Sequence, residues 1–420
     1  MSLSIIFSVF LNLLLIFRSI KSKNIPLFIF LSSWFAIYTV AIFLISDRFY
    51  NENIISYFSH SFSRDSFYQA VTLVNITLAL FLFFLRFRLP RNIQLIKNNE
   101  RLYSANVLIF LILFIVVSFF FVEKMGGIDS LLYASRPGLI SGSMTFLIFF
   151  SSVKYLLIVS IISKCKAYNR YIIYVVFSIS IIFISLLSKI YLLLVIINLI
   201  YFYWFYNLKV NKVNKIYKLI YYSAIAFLCI LFLAILKFSD GSMMNIINNG
   251  LFNYIENKFG SMFNFLILYY EVGVESISTL SYFIEVNGFT FYPSFLIQSL
   301  GAISLFLPSF ARVYLIEFTE FVNSFSSIEA IVPNVLTQFF EGFHVLGVIF
   351  FSVIVILLIN LNIAKIFLSK NIFAIFIYLS LLTNTLLFVR GTIDTYVAFV
   401  FYDLISILFI YFVIKIRVVK

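Results

Sequence analysis

Apolar runs long enough to cross a lipid bilayer recur along the whole chain. About 20 apolar residues in a helix span the hydrocarbon core, and such runs are typical of transmembrane helices. The pattern therefore predicts an all-α polytopic membrane protein with about eleven spans. The runs lie near residues 1–17, 25–45, 67–85, 104–122, 144–163, 171–188, 190–206, 217–236, 338–361, 372–389 and 395–414.

Two of these runs, 171–188 and 190–206, are separated only by a link at Ser188 and Lys189. A tight helical hairpin and one long tilted helix both fit this spacing. If the segment is a single helix, the predicted orientation of every later span reverses.

The segment 237–333 is about 95 residues long, far longer than an ordinary connection between helices. Its apolar pieces, 261–270 and 291–310, are short or interrupted by Pro and Gly, which favours surface or re-entrant helices. The chain is therefore predicted to comprise a bundle of about eight spans over 1–236, a large loop over 237–333, and about three spans over 334–420.

Basic residues concentrate in alternate connections between the runs. Lys and Arg mark cytoplasmic loops, so the N-terminus and the large loop are predicted to be periplasmic and the C-terminus cytoplasmic. This topology explains most of the net charge of +13 and leaves no reason to expect nucleic-acid binding. Six connections hold 20 of the 30 Lys and Arg: Arg18, Lys21, Lys23; Arg86, Arg88, Arg91, Lys97, Arg101; Lys164, Lys166, Arg170; Lys209, Lys212, Lys215, Lys218; Lys365, Lys370; and Lys415, Arg417, Lys420.

Composition excludes several classes of protein. With 63% apolar and 11% charged residues the chain is not a water-soluble globular protein. Two Cys exclude a disulfide scaffold, and two His outside any ligand-spaced cluster give no support to a metal site. No glycine fingerprint for a nucleotide or dinucleotide is present, so no cofactor is expected.

Nine cations are predicted to face the periplasm against the overall charge bias, and four of them are candidates for a site: Arg136, Lys189, Arg312 and Arg390. Because a guanidinium grips phosphate oxygens in two places, they suggest an anionic ligand. The alternative is that they are loop charges paired with nearby acids, as Arg390 could be with Asp394.

Lys154 lies near the middle of a predicted span, where a charge needs a buried partner or a wet cavity. Glu341 and His344, spaced i and i+3, are predicted to share a helical face that Gly347 continues. Glu317 and Glu320 share the same spacing. Each of these pairs could serve a catalytic site or simply hydrogen-bond at a helix entry or surface.

Three motifs carry a resemblance to a known family. NVLTQFFEGFHVLG (Asn334 to Gly347) follows the large loop, SLLSKIYLLLVI (Ser185 to Ile196) places Lys189 before an apolar span, and ASRPG (Ala134 to Gly138) contains Arg136. Together with the span pattern, they resemble the O-antigen polymerases, the Wzy proteins of bacteria.

The resemblance implies a glycosyltransferase of the bacterial inner membrane that acts at its periplasmic face. The donor would be a glycan on undecaprenyl diphosphate and the acceptor a lipid-linked repeat unit, with a chain-length regulator as a further partner and no metal. Arg136, Lys189, Arg312 and Arg390 would then bind the diphosphate. Glu317, Glu320, Glu341 and His344 are the candidates for the catalytic base. An O-antigen ligase, a lipid-linked oligosaccharide flippase and a non-catalytic scaffold are the alternatives.

Overall fold

A computed structural model describes residues 3–49, 53–57, 60–90, 104–124, 143–162, 167–187, 189–209, 253, 256–257, 276–286, 335–389, 391 and 393–415. Of these residues 91% are helical. The chain forms two compact units. Unit 1 comprises Met1–Arg91, Leu266–Ala364 and Asn384–Val400, and unit 2 comprises Asn92–Phe265, Lys365–Thr383 and Phe401–Lys420.

The elements follow the apolar runs in chain order. They are α1 (Leu3–Lys21), α2 (Ile25–Trp34), a π-helical turn (Phe35–Thr39), α3 (Val40–Arg48), β1 (Ile54–Tyr57), β2 (His60–Ser63), α4 (Arg64–Phe84), α5 (Ser104–Lys124), α6 (Ser143–Ile162), α7 (Ala167–Leu187), α8 (Lys189–Lys209), α9 (residues 276–286), α10 (Val335–Leu368), α11 (Ile372–Asn384) with a 3₁₀ turn (Thr385–Phe388), and α12 (Ile393–Lys415).

Six described segments are long and apolar enough to cross a membrane, which confirms the prediction of a helical membrane protein. Ten of the eleven predicted runs coincide with helices, and 217–236 lies outside the described residues. The total of eleven spans and the periplasmic loop stay predictions. The six segments are Leu3–Lys21, Ile25–Ser46, Arg64–Phe84, Asn106–Glu123, Val335–Leu368 and Thr395–Ile414, with shorter apolar stretches at Ile148–Ser160, Leu192–Tyr206 and Ile372–Phe388.

In unit 1, buried polar side chains join α1 to its neighbours. Ser8 Oγ donates to Asn75 Oδ1 of α4 at 2.6 Å. Asn12 Nδ2 donates to Thr39 Oγ1 of the π-helical turn at 2.8 Å. Because hydrocarbon offers no competing partner, such bonds fix which helix faces meet.

An aromatic cluster forms the core beside them. The Trp34 ring stacks on Tyr38 with centroids 4.2 Å apart and meets Phe81 edge-on at 5.4 Å. It also stacks on Phe351 of α10 at 6.0 Å. Offset and edge-on geometries of this kind are the favourable ones for aromatic rings.

The turn between α1 and α2 needs only three residues. Asn24 N donates to Ser19 O at 3.1 Å and Lys23 N donates to Ile20 O at 2.9 Å, the two bonds of a Schellman helix ending. Lys23 takes φ 56° there, a conformation that favours glycine. The Asn24 side chain then caps α2 by accepting from Leu27 N, and Pro26 lies in the first turn.

The connection between α3 and α4 contains a small antiparallel hairpin, which among the described residues is the exception to the all-α prediction. Ile54 pairs with Ser63 and Tyr57 with His60. Ser63 ends the hairpin and caps α4 by accepting from Ser66 N.

The Glu285 side chain of α9 accepts hydrogen bonds from the residues of this helix cap. Its Oε2 accepts from Ser63 Oγ at 2.6 Å, from Ser63 N at 3.2 Å and from Ser66 Oγ. The hydroxyls of Ser63 and Ser66 lower the pKa of the Glu285 carboxyl. The negative charge also suits the positive end of the α4 dipole.

Unit 2 is built on α5 to α8 with parts of α10, α11 and α12. Phe409 of α12 lies 5.1 Å from Phe149 and 5.9 Å from Phe110, measured between ring centroids. Phe367 meets the rings of Trp204 and Phe205 of α8 edge-on at 5.6 and 5.3 Å. These ring contacts join α12 to α5 and α6, and residue 367 to α8, within a core whose buried side chains are mostly aliphatic.

The conformation of Lys23 predicts a stabilising substitution. A left-handed backbone costs a non-glycine residue about 1 kcal/mol, so Lys23→Gly should raise the free energy of unfolding in detergent by up to that amount. Lys21→Gly, two residues earlier inside the last helical turn, should instead lower it by about 0.5–1 kcal/mol. Destabilisation by both substitutions would contradict the Schellman geometry.

The Glu285 contact predicts a pH dependence. Because the folded-state pKa is depressed, the contact stabilises fully above the unfolded glutamate pKa of about 4.3 and is lost as the pH falls through the lower folded value. The protection of the Ser63 amide against hydrogen exchange, relative to its intrinsic rate at the same pH, should fall only below a pH of about 4.3. In Glu285→Gln the acid-induced step should be absent, and a step of the same size in that variant would refute the assignment.

Candidate functional site

The interrupted helix α10 is the candidate functional site. Its 34 residues would form a helix of about 51 Å at 1.5 Å per residue, well beyond a hydrocarbon core of about 30 Å. Regular geometry is broken at Phe343 (φ −146°, ψ 16°) and His344 (φ 52°, ψ −135°). The helix is therefore two pieces, 335–342 and 345–368, and the second alone is long enough to cross.

Gly347 makes the break possible. A Cβ atom at this position would lie 1.8 Å from Phe339 O and 3.3 Å from Phe343 Cβ. No side chain fits that space, because one of the clashing atoms belongs to the backbone. The close approach of residue 347 to residue 339 is the direct result of the non-helical pair between them.

The break lies beside polar side chains. Glu341 is buried, with 1% of its surface exposed. The Phe340 ring meets the His344 imidazole edge-on at 5.3 Å. Gln338, one turn earlier, accepts a hydrogen bond from Ile393 N at 3.0 Å through its Oε1 and so ties α10 to the first residue of α12.

The prediction that Glu341, His344 and Gly347 share one helical face is wrong. The prediction assumed a continuous helix, and the break at Phe343 and His344 separates Glu341 from Gly347. His344 sits in the break itself, with a positive φ that costs a non-glycine residue about 1–3 kcal/mol. Such strained residues concentrate at functional sites.

The described residues include only part of the predicted site. Glu341 and His344 lie at the break of α10, and Lys189 begins α8. The other predicted residues lie outside the described part of the chain: Arg136, Arg312, Arg390, Glu317 and Glu320.

Lys154, in α6 of unit 2, forms a separate polar centre. Its Nζ donates to Asp403 Oδ1 of α12 at 2.6 Å, and both side chains are buried. The same Oδ1 accepts from Ser151 Oγ, while Oδ2 accepts from Ser380 Oγ of α11 at 2.8 Å. The carboxylate thus joins three helices.

Asp403 was not among the predicted residues, because 395–414 has the pattern of one apolar run. Either charge at the centre of a span costs about 2.5–3.5 kcal/mol on insertion scales. The signal was present: one base and one acid each interrupt an otherwise apolar run, and pairing them offsets both costs.

Among the described residues no group of three or more His, Cys, Asp or Glu side chains lies together to hold a metal ion. The arrangement at α10 instead offers proton-accepting groups beside a break in an apolar helix. No protein-family model, curated protein or solved structure matches the chain.

The steric requirement at Gly347 predicts that Gly347→Ala distorts the break. Displacing the Phe339 carbonyl should cost about 1–3 kcal/mol of folding free energy, measured by thermal unfolding in detergent. Leu346→Ala is the matched control: this neighbouring side chain is 61% exposed, so the change should stay within about 0.5 kcal/mol. Equal effects of the two substitutions would contradict the close approach at Gly347.

Proposed function

We propose that this membrane protein is a glycosyltransferase that polymerises lipid-linked oligosaccharide repeat units, as the O-antigen polymerases do. Its site of action would be the periplasmic face of the bacterial inner membrane, with the N-terminus periplasmic and the C-terminus cytoplasmic. The donor is a growing glycan on undecaprenyl diphosphate, and the acceptor is a single repeat unit on the same lipid.

The interrupted helix α10 is the observation that supports the proposal. Backbone that leaves helical geometry within a span or at its end is tolerated where it is buried in protein, lines a cavity or reaches water, because lipid cannot satisfy its polar groups. Interrupted helices also form the substrate sites of several membrane transporters. Here the break carries two groups able to accept a proton, Glu341 and His344.

The reaction joins an acceptor hydroxyl to the anomeric carbon of the donor glycan. The hydroxyl oxygen forms the new bond, and the bond from the anomeric carbon to the diphosphate oxygen breaks with its electron pair on the diphosphate. Glu341 or His344 takes the hydroxyl proton. The burial of Glu341 suits this role, because water competes little for a carboxylate in such a place.

The departing diphosphate gains negative charge, which fixed cations stabilise. We assign this role to Arg136, Lys189, Arg312 and Arg390. Glu317 and Glu320 remain alternative bases within the proposed loop.

Lys154 gives no support to the flippase alternative. An unpaired Lys154 inside a span would have suited a charged transport pathway, but its charge is neutralised by Asp403. A ligase would use the same chemistry on a different acceptor, so the two enzymes are separated by their products.

Two substitutions test the base. Glu341→Gln and His344→Gly each remove a proton acceptor, and glycine also tolerates the positive φ at position 344. If one of them is the base, repeat-unit addition should fall by about 100-fold or more in that variant at unchanged membrane abundance, measured as the glycan ladder on a lipopolysaccharide gel. Glu256→Gln, which changes an exposed carboxylate, is the matched control and should keep the full ladder.

Deleting the gene separates the classes of protein. A polymerase null should leave one repeat unit on the lipid core. A ligase null would leave no glycan on the core while lipid-linked polymer accumulates, and a flippase null would leave the units inside the cell. Full ladders in the Glu341 and His344 variants would exclude the proposed base, and either of the other two deletion phenotypes would exclude the polymerase.

A further inference from the structure

The Asp403 carboxylate is the centre of a buried group of hydrogen bonds in unit 2. Lys154 and Ser151 of α6 both donate to Oδ1, and Ser380 of α11 donates to Oδ2. One turn later along α12, Ser406 Oγ lies 2.8 Å from Ile148 O of α6. The middle of α12 therefore meets both the buried charge of α6 and a backbone carbonyl of the same helix.

The two charges are 249 residues apart in the sequence. At a synthesis rate of about 5–20 residues per second, Asp403 follows Lys154 by about 12–50 seconds. During that interval α6 carries a cation that hydrocarbon disfavours and for which α12 is not yet present. The partner arrives with the last helix of the chain.

We propose that the Lys154–Asp403 pair is a late-closing latch for unit 2. Until α12 supplies Asp403, α6 is held only weakly in the bilayer, and the ion pair commits unit 2 to its folded state. Ser151 adds a second hydrogen bond to Oδ1, and Ser380 satisfies Oδ2, which Lys154 leaves open. This role is independent of the glycosyltransferase proposal, because it concerns survival of the protein rather than its reaction.

The geometry favours a latch over a chemical role. Both side chains are buried, and the carboxylate already accepts three hydrogen bonds. The physics of such pairs gives a distinctive signature: removing one partner leaves an uncompensated buried charge, whereas replacing both with apolar side chains of similar size is tolerated. A group that carried protons or bound a ligand would not be replaceable in this way.

The test is a pulse–chase measurement on the full-length chain in the membrane of living cells. Asp403→Leu and Lys154→Met should each shorten the half-life several-fold, since an unfolded membrane protein is removed by proteolysis. The double variant K154M/D403L should recover the wild-type half-life. Lys370→Met removes an exposed cation beside α11 and is the control that should leave the half-life unchanged.

Two results would overturn the latch. One is a wild-type half-life in both single variants, which would show that neither charge needs the other. The second is a double variant that is degraded as fast as the single variants, since the proposal requires the two losses to cancel.

Discussion

A polar group inside the hydrocarbon layer finds no water, so it must find its partner within the protein. In unit 1 this constraint pairs Ser8 with Asn75 and Asn12 with Thr39, and in unit 2 it pairs Lys154 with Asp403. Apolar and aromatic side chains fill the remaining contacts but specify them weakly, because lipid is as apolar as they are. The few polar bonds therefore decide which helix faces meet, and the other features of the fold follow from that choice.

Hydropathy predicted the helices well because a span is a local property. Each span needs about 20 apolar residues of its own, whatever the rest of the chain contains. Ten of the eleven predicted runs coincide with helices. Conformations that depend on distant contacts were not predictable in the same way. The residues 341–347 have no helix-breaking proline, yet Phe343 and His344 leave helical geometry where Gly347 approaches Phe339. The short hairpin 54–63 was also not predicted, because strands of four residues are too short to give a clear alternating pattern.

For the candidate site, the sequence indicated which residues matter but not how they are arranged. The sequence indicated that Lys154 needs a buried partner, but a contact across 249 residues has no local signature, and Asp403 was hidden within an apolar run. It also singled out Glu341 and His344 by their spacing. Their relation in the structure is different, because His344 belongs to the break rather than to a helical face. Residue identity was readable from the sequence, whereas geometry depended on packing.

The π-helical turn Phe35–Thr39 has a consequence for how the chain tolerates change in length. Such a turn accommodates one surplus residue inside a helix. Removing a single residue there would restore an ordinary helix while α2 and α3 each keep the neighbours they already face. The helical segment that contains this turn can therefore lose one residue near its centre without a change in the faces that its two halves present. In a regular α-helix, the same deletion would rotate everything beyond it by about 100°.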